Sequence, residues 1–260
     1  MDANHQLQTV LIQDFGPKSI KNCNLMLQFL DEANELNKTQ PGQHALLQYK
    51  LTCVFPQETM DKFSLEREKR KVSLFDTVKE FVDVMKGKTT EINEENESDK
   101  EAMVNGLKLS QKIFQKAQNL KIPILIDAEL RSNYYVLYAL TCAAYIQFNS
   151  RQNPIPMVYG TYQNYFKDSP EFLKSCWDIC SKTGVRFGAK IVRGAYLDHE
   201  RKDAKKEGTE DKIYPTHVET SAAYNKVMEK LLRHHAANPG HIGLFIASHN
   251  METITKAVDL

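Results

Sequence analysis

Charged and polar side chains follow five short apolar runs of the sequence, at the point where each run ends. They are Lys50 and Thr52; Asp127 and Glu129; Thr161, Tyr162 and Gln163; Lys190, Arg193 and Tyr196; and Ser248, His249 and Asn250. Lysine and arginine bind carboxylates or phosphates, and aspartate and glutamate pair with such cations or exchange protons. A single polar residue at the end of a strand is often only a cap or a structural ion pair. Five such ends in succession favour a ligand site.

The segment GAKIVRGAYLDHER, residues 188 to 201, has several of these groups close together. Lys190 and Arg193 are three residues apart, so their side chains leave a strand on opposite faces and can bracket an extended anionic ligand only where the strand twists into its loop. Gly194 allows a ligand to approach the backbone, and Tyr196 offers an aromatic wall with a polar tip. These residues predict an anionic cofactor. The glycine motifs of Rossmann dinucleotide sites and P-loops are absent from the sequence.

The elements that must position these residues are strands alternating with helices. The five apolar runs predict strands at 45–54, 122–129, 156–163, 186–195 and 243–249, and helical patterns lie between them. This alternation is typical of right-handed βαβ units and a mainly parallel sheet, whose strands all end on the face where a (β/α)₈ barrel has its site. The predicted fold is therefore α/β, a TIM-barrel-like (β/α)₈ fold that is incomplete, with about five strands in one domain over residues 1–260.

Three segments interrupt the alternation. Residues 1–40 are expected to form an N-terminal helical segment, with an amphipathic helix from about Pro17 to Asn37. The acidic segment 86–102 has no apolar period, which predicts a solvated insertion. The uncharged stretch 132–150 is long enough to span a bilayer, but its tyrosines and amides favour a buried helix of a soluble domain. We therefore predict no transmembrane segment.

Composition excludes some classes of partner. The 34 basic and 33 acidic side chains nearly cancel, and no basic run with interleaved aromatic residues is present, so nucleic acid is not an expected partner. The five cysteines have scattered spacings, which predicts reduced, buried thiols and no metal site. The opening residues MDANHQLQTVLIQDFG have no targeting signal, which predicts either a cytosolic protein or a sequence without its true N-terminus.

The strand-end motifs resemble those of the proline dehydrogenase (proline oxidase) family, in its mitochondrial eukaryotic branch. The similarity runs from about Gln43 to Asn250 and includes YKLT, LIDAE, TYQNYFKD, GAKIVRGAYLDHER, YPTHVETSAAY and IASHN in chain order. The resemblance implies a distorted (β/α)₈ barrel that binds FAD and oxidises L-proline to Δ1-pyrroline-5-carboxylate, the first step of proline catabolism. It also implies electron transfer to a membrane quinone, peripheral membrane contact, and a place in the mitochondrion, at the inner membrane or on its matrix side.

The resemblance assigns roles to individual residues. Lys50 is expected to help bind the substrate carboxylate, Asp127 to lie on the substrate side, and Tyr196 to form a wall over the proline ring. Lys190 matches a basic residue near the reactive N5 edge of the flavin. The other residues expected to contact FAD are Val192, Arg193 and Gly194, which line it, and Thr220, His249 and Asn250, which match positions that hold its tail and pyrophosphate.

Two features depart from the family pattern. Gly160 stands where the family usually has a polar side chain, so no hydrogen bond from this position to the flavin is expected. Family members also continue through three further strands to a helix with two adjacent arginines that bind the proline carboxylate, whereas this sequence ends at METITKAVDL. We therefore expect a C-terminally truncated chain whose activity by itself is impaired.

Two other hypotheses account for the same strand ends. In the first, the chain is an aldolase-type barrel lyase in which Lys50 or Lys190 forms a Schiff base with a carbonyl substrate. In the second, the chain is a noncatalytic remnant that binds a partner or nothing at all.

Overall fold

The computed structural model describes residues 15–40, 45–94 and 96–260. The strands are β1 (Leu47–Lys50), β2 (Ile124–Asp127), β3 (Val158–Gln163), β4 (Phe187–Val192) and β5 (Ile242–Ile246). The helices are α1 (Phe15–Thr39), α2 (Gln57–Lys69), α3 (Leu74–Met85), α4 (Glu97–Leu120), α5 (Tyr134–Phe148), α6 (Ser169–Thr183), α7 (Leu197–Glu207), α8 (His217–Ala237) and α9 (Met251–Val258). Two 3₁₀ turns, Leu51–Cys53 and Arg131–Asn133, follow β1 and precede α5.

All five strands form one parallel sheet in the order β1-β2-β3-β4-β5. Each strand pairs with the next one along the chain, which is the order of a barrel, whereas a doubly wound sheet reverses its order at a switch point. The register places Lys50 beside Asp127 and Thr161 beside Lys190. The predicted α/β class, with five parallel strands in barrel order, is confirmed.

Four of the five strands end earlier than predicted. β1 gives way to a 3₁₀ turn after Lys50, β4 ends at Val192 and β5 ends at Ile246. Gly194 has φ +84°, a left-handed conformation that glycine adopts without strain and that a strand cannot contain. As a result, Arg193, Tyr196 and His249 lie in loops beyond the carboxyl ends of the strands.

The two faces of the sheet are set by residues that pack on the surrounding helices. The Tyr49 ring packs edge-on against Phe114 of α4, with 5.1 Å between the ring centroids, so Tyr49 faces outward. A Cβ atom on Gly160 would lie 2.6 Å from Cγ2 of Thr141 and 2.7 Å from the hydroxyl of Tyr145, so this position faces α5. Because side chains alternate along a strand, the next residue of each strand points to the inner face. The inner face therefore includes Lys50, Asp127, Thr161 and Lys190 at its carboxyl end.

Helix α5 lies in the core behind the sheet. Every residue from Tyr134 to Tyr145 is buried, which confirms the buried helix predicted in 132–150. Among the residues that the structure describes, no helix is both long enough and apolar enough to cross a membrane. The five cysteines are free thiols, and Cys142, Cys176 and Cys180 are buried where α5 and α6 pack together.

Helix α1 confirms the amphipathic helix predicted from about Pro17 to Asn37. It packs along α4, where Nζ of Lys116 lies 2.6 Å from the Asp31 carboxylate. Residues 1–14 of the predicted N-terminal segment lie outside the described residues.

The acidic segment 86–102 is not a solvated insertion over its whole length. Residues from Glu97 onward belong to α4, and Ile92 is only 6% exposed. The side chain of Asn96 caps the helix by accepting a hydrogen bond from the backbone N–H of Asp99 at 3.0 Å. An asparagine cap followed by acidic residues stabilises a helix N-terminus, so the same acidic residues that indicated a solvated loop begin a helix here.

Candidate functional site

Two ion pairs lie on the inner face at the carboxyl ends of the strands. Nζ of Lys190 lies 2.8 Å from Oδ1 of Asp127, and Nζ of Lys50 lies 3.0 Å from Oε1 of Glu129. The four side chains are between 13% and 23% exposed, so they are shielded from bulk water but open to a ligand. Two cations and two carboxylates in one patch suit a small ligand that has charges of both signs.

The environment of Lys50 keeps its side chain charged. Burial is the largest single influence and lowers the pKa of Lys50, but the charge and hydrogen bond of Glu129, together with Tyr196 and Asp127, raise it, so the pKa lies above its usual value. Lys50 is therefore a cation at neutral pH. Such a group can bind a carboxylate but is a poor nucleophile.

Arg193 differs from the two lysines because no carboxylate among the described residues pairs with it. Its guanidinium donates hydrogen bonds to Oγ of Ser248 at 3.0 Å, Oγ1 of Thr253 at 3.1 Å and Oγ of Ser221 at 3.4 Å. It also lies 4.5 Å from the centroid of the Tyr224 ring. Neutral hydroxyls and an aromatic face hold the side chain without cancelling its charge, so the charge is available to an anionic ligand.

Tyr224 connects helix α8 to the ends of two strands. Its hydroxyl lies 3.3 Å from the carbonyl oxygen of Ile191 and 3.2 Å from that of Ala247. Burial raises the pKa of Tyr224 to about 12, while Arg193 acts in the opposite direction. The ring therefore stays neutral and fixes the helix against which Arg193 lies.

A cavity of about 530 Å³ opens beside Arg193, between the beginnings of α8 and α9. The residues that line it are Arg193, Gly194, Leu197, Arg201, Tyr214, Pro215, Thr216, His217, Thr220, Ala247, Ser248, His249 and Asn250. This described lining contains two arginines and two histidines but no carboxylate. Thr216 caps α8 and Asn250 caps α9, so the positive ends of two helix dipoles also lie at the cavity. The cavity therefore favours an anionic ligand.

The structure separates the predicted site residues into two groups. Lys50, Asp127, Lys190 and Val192 belong to the inner face, and the half-buried Tyr196 is near Lys50 at the start of α7. Arg193, Gly194, Thr220, His249 and Asn250 line the cavity. Lys190 of β4 points to the inner face, whereas Arg193, in the loop after β4, points toward α8 and α9.

Several residues of the site received no role from the sequence. The Gln48 side chain donates a hydrogen bond to the Asp127 carboxylate, and Thr52 donates to Oε2 of Glu129 at 2.8 Å. Gln48 lies two residues before Lys50, so the two-residue period of a strand already placed it on the same face. The pairing of Glu129 with Lys50 has no such signal, because it depends on how the chain turns after β2.

Gly160 has a different importance from the one that the sequence suggested. The position points away from the inner face and toward α5, so a polar side chain there would meet Thr141 and Tyr145 and not a ligand inside the sheet. The neighbouring Thr161 occupies the inner face instead. The absence of a side chain at position 160 is therefore a requirement of helix packing.

Comparison with known proteins identifies the family. A family model described as proline dehydrogenase matches residues 27–260. The chain belongs to the proline dehydrogenase family. Hydroxyproline dehydrogenase of Bos taurus is 29% identical over 238 residues, which are 91% of this chain and 52% of the bovine protein. Mitochondrial proline dehydrogenase 1 of Dictyostelium discoideum is 36% identical over 151 residues, which are 57% of this chain and 26% of that protein. The chain thus spans about half the length of its bovine relative.

Solved structures support the same fold. Proline utilization A (PutA) of Bdellovibrio bacteriovorus matches with a TM-score of 0.65 and 17% identity, over 93% of this chain and 22% of that protein. A PutA mutant of Bradyrhizobium japonicum matches with a TM-score of 0.68 and 16% identity, over 94% and 21% of the two chains. The similarity shows that this chain has the same arrangement of parallel strands and helices as part of these proteins.

Proposed function

We propose that this chain contributes the cofactor-binding and substrate-binding strands of an FAD-dependent enzyme that oxidises L-proline to Δ1-pyrroline-5-carboxylate, the first step of proline catabolism. The observation that carries this proposal is the position of Arg193, a half-buried cation without a carboxylate partner among the described residues, beside a cavity without carboxylates. Membership of the proline dehydrogenase family supports it.

The residues around the cavity suit the anionic part of FAD. Arg193 and the beginnings of α8 and α9 would hold the pyrophosphate, with the exposed backbone of Gly194 allowing close approach. Thr220, His249 and Asn250 would line the rest of that end, and Lys190 and Val192 on the inner face would lie toward the flavin ring. FAD, when bound, supplies the acceptor for the hydride that leaves a ring carbon of proline.

The residues of the chain would act by position and charge. Lys50, kept protonated by Glu129, would bind the proline carboxylate, and Tyr196 would cover the ring. Asp127 would lie on the substrate side, where its carboxylate pairs with Lys190 before FAD binds. The positive charge of Lys190 would stabilise negative charge as it develops on the flavin. No protein nucleophile takes part in this scheme.

We further propose that the electrons pass to a membrane quinone and that the protein works in the mitochondrion, in peripheral contact with the inner membrane. The location is supported by relatives named mitochondrial proline dehydrogenase 1 in Dictyostelium discoideum, Homo sapiens and Arabidopsis thaliana. The quinone follows from the family resemblance.

The decisive experiment is the visible absorption spectrum of the chain mixed with FAD, before and after addition of L-proline without oxygen. We expect protein-bound FAD, with slow bleaching by proline. Arg193→Met should abolish FAD binding, whereas Arg70→Met, which removes an exposed arginine that donates to Asn93 far from the cavity, should not. A folded chain that binds no FAD would contradict the proposal and support the noncatalytic hypothesis.

Hydroxyproline is a second candidate substrate. The relatives from Bos taurus and Mus musculus that match 91% of this chain are both named hydroxyproline dehydrogenase. The bleaching assay should therefore be run with each amino acid at equal concentration. If hydroxyproline bleaches the flavin faster, hydroxyproline becomes the proposed substrate in place of L-proline, and the proposed cofactor stays the same.

The Schiff-base hypothesis requires a lysine whose amine is neutral. Lys50 has a raised pKa, which favours its ammonium form, and the Lys190 amine is engaged by Asp127 at 2.8 Å, so neither amine is free to attack a carbonyl. Borohydride added with a carbonyl substrate should trap no covalent adduct on either residue. Detection of such an adduct by mass spectrometry would restore the lyase hypothesis.

A further inference from the structure

Thr161 has a buried hydroxyl for which the described residues supply no partner. The residue is 2% exposed, and its Oγ1 makes no hydrogen bond within that part of the chain. Buried polar atoms of this kind are uncommon, because an unmade hydrogen bond in the interior costs free energy. Thr161 lies on the inner face between two site residues: it pairs with Lys190 of β4, and Asp127 is on the other side in β2.

The ion pair between Lys190 and Asp127 crosses over Thr161. Neighbouring strands are about 4.8 Å apart, so β2 and β4 are separated by about 10 Å, and the long lysine side chain bridges this gap across β3. The small threonine leaves room for that bridge. Since Lys190 is 17% exposed and Asp127 13%, a ligand that approaches the inner face meets the ion pair before it meets Thr161.

We propose that Thr161 is a positioning residue that holds Lys190 in a second, ligand-facing orientation. An ammonium group has three hydrogen-bond donors, and Asp127 uses one of those of Lys190. When Lys190 turns from Asp127 toward the ring of bound FAD, the hydroxyl of Thr161 accepts a hydrogen bond from its ammonium group. The inference rests on the proposed function, because it takes FAD as the ligand.

The test uses two conservative variants of the 260-residue chain and one matched control. Thr161→Val keeps the shape and removes the hydroxyl, whereas Thr161→Ser restores it. Thr141→Val is the control, because Thr141 is also buried, with a hydroxyl that no described residue partners, but lies in α5, behind the outer face of the sheet.

In the absence of FAD, the urea midpoint of Thr161→Val should equal or exceed that of the unmodified chain, since no hydrogen bond is lost. The dissociation constant for FAD should rise about tenfold or more, as expected for one hydrogen bond to a charged group. The reduction potential of the bound FAD should become more negative, because Lys190 is less well placed to stabilise the added charge. Thr161→Ser should recover both values, and Thr141→Val should change neither.

Three other outcomes would contradict this inference. Equal FAD affinity and potential in Thr161→Val and the unmodified chain would overturn this inference alone. A lower urea midpoint in Thr161→Val with normal FAD binding would show that the hydroxyl is structural, which also overturns it. If the unmodified chain is folded and binds no FAD, the proposed function fails, and this inference fails with it.

Discussion

Replacement of Tyr145 by phenylalanine should destabilise the sheet, because the Tyr145 hydroxyl takes part in the hydrogen bonding between β3 and β4. The hydroxyl accepts a hydrogen bond from the backbone N–H of Gly160 at 2.9 Å and donates one to the carbonyl oxygen of Gly188. The register pairs Gly160 with Ala189, so Gly188 provides the carbonyl that a regular parallel ladder would offer to the N–H of Gly160. A side chain of α5 thus bridges the place where the two strands would bond directly.

The expected loss follows from the groups that Tyr145→Phe leaves behind. The ring remains, so little apolar contact is lost, but one buried backbone N–H and one buried backbone carbonyl lose their partner, and the Tyr162 hydroxyl loses a long contact of 3.4 Å. At about 1–3 kcal/mol for each of the two backbone groups, the free energy of unfolding should fall by about 2–6 kcal/mol. Domains of this size are usually stable by about 5–15 kcal/mol, so this change is a large fraction of the total.

Urea unfolding of the chain without FAD, followed by far-ultraviolet circular dichroism, measures the change. Tyr138→Phe is the matched control, because Tyr138 lies in the same helix and is 0% exposed but its hydroxyl has no hydrogen-bond partner among the residues that the structure describes. The control should be as stable as the unmodified chain or slightly more stable. If Tyr145→Phe and Tyr138→Phe have the same midpoint, the hydroxyl of Tyr145 does not support the ladder and the reasoning is refuted.

Three further predictions concern the rest of the molecule. Burial, with two neighbouring histidines, lowers the pKa of His234 below the ordinary value of 6.5. The unfolded chain therefore takes up a proton first as the pH falls, and the free energy of unfolding should decrease below pH 6.5. Because His234 packs edge-on against Trp177, the one tryptophan of the sequence, the fluorescence of the folded chain should titrate with a midpoint below 6.5. Asn96→Ala removes the cap of α4 and should cost about 1 kcal/mol in urea unfolding, whereas Asn96→Gly should cost only a few tenths. Glu129→Gln removes the main group that raises the pKa of Lys50, so labelling of that amine, read by mass spectrometry across an alkaline pH series, should shift to lower pH.

The strands and their polar ends could be predicted because both depend on local sequence. A parallel strand buried on both faces reads as a short apolar run with polar residues after it, and in β1 and β2 the first charged residue, Lys50 or Asp127, is also the last residue of the strand. The partners of those residues could not be predicted. Lys50 lies beside Asp127 in the sheet, yet it pairs with Glu129 in the loop after β2, while Asp127 pairs with Lys190 two strands away. These choices depend on register and on the paths of the loops, which hydrophobic pattern alone does not determine.

The helices between β1 and α4 show a similar limit. Neither α2 nor α3 was predicted, although Ser73 precedes α3 and its side chain accepts a hydrogen bond from the N–H of Phe75 at 3.2 Å. A simple βαβ unit needs only one helix between its strands, so the expected alternation gave no reason to predict further helices there. Arg67 of α2, which is 1% exposed, pairs with Glu80 of α3 at 2.9 Å, and this ion pair joins the two helices.

The geometry of the candidate site depends on α5, a helix to which no catalytic or cofactor-binding role was assigned. Gly160 allows Thr141 and Tyr145 to approach β3 closely, and this contact places position 160 on the outer face and Thr161 on the inner face. A shift of one residue in β3 would exchange the two faces, so that the large ring of Tyr162 would occupy the place now held by the small threonine. A ring at that position would obstruct the bridge between β2 and β4. The hydroxyl of Tyr145 therefore supports the site as well as the fold, and we expect Tyr145→Phe to weaken FAD binding even at urea concentrations where the variant is folded.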